Sequence, residues 1–158
     1  MREGNSRRLA ELGIALPPVP APVASYVPAV RVGDLVHTSG QLPFVDGVLV
    51  TTGRVGAVVD EAGAAGAARI AALNALAAAA AAAGGIDELE RVVKVTVFVA
   101  STHDFHAQPA VANGASHLIG EIFGEAGAHA RSAVGVGSLP LDAPVEVELI
   151  AKVRSADS

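Results

Sequence analysis

The chain has 158 residues, with 16 acidic against 11 basic side chains for a net charge of −5, and no cysteine. That length suits one domain with a real core, and the missing cysteines exclude disulfides, thiolate nucleophiles and Cys-ligated metals while fitting a reducing, cytoplasmic setting. The acidic balance, together with four Phe, one Tyr and no Trp, argues against nucleic acid as a partner, because phosphates would meet repulsion and unpaired bases would find few rings to stack on.

In chain order, Ser6 to Gly13 predicts a short helix with Ser6 as its cap and Leu9, Leu12 and Ile14 as a small apolar stripe. A Pro-rich connector, Leu16 to Pro22, ends it. Residues 1–22 therefore read as an N-terminal extension without the apolar core of a signal peptide, 23–153 as the domain and 154–158 as a tail. Tyr26–Val32 and Leu35–Thr38, separated by Gly33-Asp34, predict a hairpin. Ser39-Gly40 leaves the second strand, and Phe44–Val59 reads as irregular with turns at Asp46-Gly47 and Thr52-Gly53.

Asp60–Ala83 predicts one long alanine-rich helix stopped by Gly84-Gly85, with Gly63 and Gly66 moving its true start a few residues on. The apolar run Ile70–Ile86 is too short and too rich in alanine for a membrane span, so a soluble protein with no membrane partner is expected. Val92–Val99 predicts a central strand, Pro109–Phe123 a second helix, and His129–Val153 two strands joined by a Pro-bounded turn. This order describes an α+β layer: one mixed β-sheet covered on one face by two helices, its other face shielded by self-association.

The last stretch carries the chemistry. Alternation sends Val145, Val147, Leu149 and Ala151 one way and the carboxylates of Glu146 and Glu148 the other. On the strand before it, Arg131, Ala133, Gly135 and Gly137 share a face, a single large cation over a floor of small residues. The bland alternative is a solvated sheet face bearing ordinary charges. Paired as a simple hairpin, Arg131 and Glu146 would lie about 16 Å apart at ~3.3 Å per residue, so cooperation requires non-adjacent strands or a subunit interface.

Other constellations are weaker. His103 and His106 have ligand-like spacing, but no second pair completes a metal site. His37, His117 and His129 read as exposed or hydrogen-bonded side chains, of which only His129 lies close enough in sequence to Arg131 to matter. Ser39 lacks the Gly-x-Ser-x-Gly frame of an α/β-hydrolase nucleophile, and Gly135-Val-Gly137 leads into a turn where a dinucleotide or phosphate loop would need a helix.

Tyr26-Val-Pro-Ala-Val-Arg, Thr38-Ser-Gly-Gln-Leu-Pro43, Val93–Val99, Ala130-Arg-Ser-Ala-Val134, Leu139-Pro and Val145-Glu-Val-Glu, in this order, resemble the reactive intermediate deaminase family, also called RidA or YjgF, in a longer subgroup with an N-terminal extension. The resemblance implies a chorismate-mutase-like homotrimer with ligand clefts between subunits, in which the last strand lies inside the sheet. It further implies hydrolytic deamination of small 2-imino or enamine acids without a cofactor or metal. Arg131 would bind the substrate carboxylate and Glu146 would activate water, while Tyr26, Ser39, Gly40, Ala133 and Asn113 would line the cleft. Ala133 stands where the family often has cysteine, in a contact made largely by the backbone. Asn113 is the counterpart of a cleft asparagine across a stretch, Phe105–Asn113, a few residues longer than the family's usual spacing. Two rival functions follow: a carboxylate-binding regulatory trimer without turnover, and the endoribonuclease activity implied for some relatives.

Overall fold

Buried valines alternate along strand β5, Leu89–Ala100, with Val95, Val97 and Val99 fully enclosed and Lys94, Thr96 and Phe98 half-buried on the other side. In the computed structural model, which describes residues 4–19 and 25–155, this strand is the centre of a five-stranded mixed sheet. Its partners are β1 (Ala29–Val32), β2 (Leu35–Thr38), β6 (Ala130–Val136) and β7 (Val145–Val153), in the order β1-β2-β7-β5-β6. All neighbours are antiparallel except β5 and β6, which run parallel through the crossover helix α3 (Gln108–Phe123).

The final two strands are therefore not a hairpin, as their closeness in sequence first suggests. Strand β7 inserts between β2 and β5, and β6 forms the sheet edge beyond β5. Alternation fixes which way side chains point but leaves the choice of neighbouring strand open.

Helix α2 (Glu61–Ala83) and α3 cover the face bearing Val95, Val97, Val147 and Leu149. The Asp60 side chain accepts from the Gly63 amide, and Gly84 closes α2 at φ 100°. The Asp60 cap holds the first turn, so α2 starts at Glu61 despite Gly63 and Gly66. By length and composition α2 is apolar enough to span a bilayer, contrary to the reading of Ile70–Ile86, but most of it is buried inside the protein.

One further element departs from expectation, and the expected N-terminal helix differs in its cap. Phe44–Val45 (β3) and Val48–Leu49 (β4) pair as a small hairpin within the segment read as irregular, turning through Asp46-Gly47. Two-residue strands are too short to show a period. A third helix, α1 (Asn5–Glu11), packs on the domain through buried Leu9, while Asn5 donates to the carbonyls of Ile86 and Leu89 at 3.0 and 2.9 Å. Gly4 is its N-cap; Ser6 instead bonds Asp87 through both its amide and its hydroxyl, at 2.8 and 2.5 Å. The expected boundary at 22/23 lies outside the described residues.

Candidate functional site

Strand pairing places Arg131 and Glu146 on opposite faces. Arg131 pairs with Val95, so it points to the helix side, whereas Glu146 pairs with Phe98 on the uncovered side. They are also offset by three positions along β5 and separated by its width, about 10 Å each way at ~3.3 Å per residue and ~4.8 Å per strand. One chain thus carries two candidate half-sites that do not meet within it.

The first half-site lies between edge strand β6 and helix α3. Asn113 and Ser116 stand one turn apart on α3, facing β6. Arg131 Nη1 donates to Asn113 Oδ1 at 2.8 Å and to Ser116 Oγ at 3.1 Å. Both Nη1 hydrogens are thereby engaged, and the Nε and Nη2 hydrogens have no partner among the described residues. No carboxylate pairs with Arg131 among them either. Ala133, the next residue on the same face, packs against the core and leaves the floor shallow. His129, just before β6, bonds Ser116 Oγ through Nε2 at 2.9 Å and the Gly127 carbonyl through Nδ1 at 2.6 Å.

The second half-site is built by a β-bulge. His37 pairs with Ile150 and Gln41 bridges Val147, so four steps along one strand match three along the other. The extra residue falls at Ser39-Gly40. The Ser39 and Gln41 amides donate to Pro28 O and Val147 O at 2.7 and 2.8 Å, and the Gly40 amide between them has no acceptor among the described residues. Thr38 repairs the ladder, its Oγ1 accepting the Leu149 amide at 3.0 Å in a buried setting.

Gly40 also lies against Glu146, and a Cβ there would overlap the Glu146 carboxylate. That closeness is why a side chain is missing at this position. Burial pushes the Glu146 carboxyl above its ordinary range, and the Glu148 charge on the same face pushes it further the same way. The Ser39 hydroxyl is occupied, donating to Val27 O at 2.7 Å, and so staples the segment carrying Tyr26, which is 66% exposed.

The sequence-derived residues therefore fall into two groups, Arg131 with Asn113 and Ala133, and Glu146 with Gly40 and Ser39. Tyr26 extends outward beyond the second group. Ser116 and Thr38 escaped the sequence reading. The i,i+3 spacing of Asn113 and Ser116 is the signal that points to the former, whereas nothing local marks a strand residue as a bulge repair. Among the described residues no group of three or more His, Asp or Glu side chains could hold a metal.

A family model described as Endoribonuclease L-PSP matches residues 18–153. Protein TCP17 of Trypanosoma cruzi is 45% identical over 148 residues, covering 93% of this chain and 92% of its own length. A 2-iminobutanoate/2-iminopropanoate deaminase of Salmonella typhimurium is 35% identical over 143 residues, covering 89% and 97%. Among solved structures, the Agrobacterium tumefaciens protein Atu1372, of unknown function, superposes with a TM-score of 0.87 at 46% identity, over 95% of this chain and 92% of that one. A Shewanella oneidensis protein described as a putative endoribonuclease gives 0.90 at 32% identity, over 96% and 100%. The Escherichia coli YjgF gene product gives 0.60 at 34% identity, over 86% and 94%.

Proposed function

The chain belongs to the endoribonuclease L-PSP family, the group that includes the YjgF and RidA proteins, and from that premise we propose that it hydrolyses small 2-imino acids to 2-oxo acids and ammonia, without a cofactor, in clefts between the subunits of a homotrimer. The observation that carries this reading is the Arg131 guanidinium, held by two neutral acceptors with Nε and Nη2 unengaged. Those two donors form a side-on fork matched to a carboxylate, which a lysine could address only as a point charge. Deaminase-named relatives such as that of Salmonella support the assignment.

In this reading a second copy brings its Glu146 and Gly40 opposite the Arg131 of the first. Water adds to the C=N carbon as Glu146 takes one of its protons, and the proton passes to the nitrogen. The resulting carbinolamine then collapses, its C–N bond breaking to release ammonia as the C=O forms. A carboxyl whose proton affinity is raised by burial is the better base for the first step and a competent acid for the second. The free Gly40 amide supplies a main-chain donor for the oxygen that gains charge, and Tyr26 covers the mouth. A cytoplasmic location matches the absence of cysteine.

The test is ammonia release from an imine generated in situ by an amino-acid oxidase. Arg131→Ala should abolish the acceleration while the assembly persists; an unchanged rate in that variant would overturn the assignment. The endoribonuclease description of the family model supports a second reading, which RNA cleavage by repurified protein across a salt series would reveal. The net charge of −5 weighs against it.

A further inference from the structure

Arg131 is the end of a hydrogen-bonded chain whose proton positions follow from chemistry. The Gly127 carbonyl can only accept, so the His129 nitrogen 2.6 Å from it, Nδ1, carries a hydrogen. In the neutral ring Nε2 is then the acceptor, and Ser116, 2.9 Å away, donates its one hydroxyl proton to it. With that proton committed, Ser116 Oγ presents only lone pairs toward Arg131 Nη1 at 3.1 Å.

We propose that His129 is a positioning residue which, acting through Ser116, fixes the direction of the Arg131 fork and so sets the selectivity of the site for carboxylate-bearing ligands. This deepens the proposed function and rests on it only for the identity of the ligand. Asn113 Oδ1 alone would hold one Nη1 hydrogen at 2.8 Å and leave the guanidinium free to pivot about it. The second anchor, Ser116, removes the pivot only while its proton points away. A serine free to rotate could aim that proton at Arg131 and lose the bond, or aim it at the ligand and compete for the carboxylate. His129, held by a main-chain carbonyl, prevents both.

Full-length protein labelled with nitrogen-15 offers a direct test, with the Arg131 side-chain signals assigned by their loss in Arg131→Lys. Two separate Nη signals, reporting hindered rotation of the guanidinium, are expected in the parent and their coalescence in His129→Ala and in Ser116→Ala. In parallel, calorimetry with 2-oxobutanoate and its amide should show the preference for the carboxylate falling about tenfold in His129→Ala, on the scale of one charge-assisted hydrogen bond. His129→Gln, which can keep an acceptor for Ser116, should restore part of it. The double variant should be no worse than the weaker single one, since both changes break one chain. Unchanged Nη signals in His129→Ala, or additive losses in the double variant, would overturn the inference. Coalescence in a protein that binds no carboxylate would uphold the ordering role of His129 and defeat the deaminase reading instead.

Discussion

At Gly40 the absence of one carbon decides where a carboxylate sits. The nearest atoms to an added Cβ all belong to the Glu146 side chain, so Gly40→Ala should swing that side chain aside and leave the fold standing. The expected outcome is a loss of imine hydrolysis of at least about tenfold with little change in melting temperature, measured on the same preparation. Glu146 itself gives a prediction with a definite sign. Its folded carboxyl binds a proton more tightly than the ordinary value of 4.5, so its contribution to stability is full below that value and is lost as pH rises through the raised one. Glu146→Gln should therefore be more stable than the parent at neutral pH, with the advantage shrinking toward pH 4 in a series of thermal melts. The sequence singles out Arg131, Glu146 and Gly40 because strand alternation and a glycine at a strand end are local signals. It leaves their opposite facing hidden, because a face is defined only once the strands between them are placed.

Among the elements, the two sheet-covering helices show how much a single hydrogen can matter. Gly114 of α3 lies against the Ala65 carbonyl of α2, so closely that a Cβ would overlap main-chain atoms. Backbone cannot rotate away as a side-chain tip can. Gly114→Ala should cost about 1–3 kcal/mol or more in denaturant melts, the scale of overpacking. Gly120, six residues on in the same helix, would present its Cβ to open space, and Gly120→Ala should instead stabilise by about 0.5–1 kcal/mol. The opposite signs of one substitution in one helix test the crossing geometry directly. The end of α2 was legible because Gly84-Gly85 is punctuation the chain states outright, whereas its start was blurred by Gly63 and Gly66, whose weakness the Asp60 cap offsets. The β3–β4 hairpin was not legible, since Val45 and Val48 enclose only a turn and offer no pattern to read.

For the whole molecule, the important fact is that one chain holds Arg131 and Glu146 on opposite faces of its sheet and does not bring them together. If neighbouring copies do so, two inactive variants should repair each other. Arg131→Ala and Glu146→Gln chains, mixed, unfolded together and reassembled, should regain imine hydrolysis, because some clefts then combine an intact Arg131 from one chain with an intact Glu146 from another. No recovery in mixed assemblies verified by mass would show that each site lies within a single chain.

The place of β7 has a consequence for biosynthesis. Strand β7 follows every other strand of its sheet in the chain yet lies inside that sheet, so the β1–β2 hairpin and the β5–α3–β6 unit must wait beside each other with their edges bare until β7 has emerged from the ribosome. A nascent chain stalled before Val145 should thus remain open to proteases and to chaperones that bind exposed strands, and protection should arrive in one step once Val145–Val153 is available to pair.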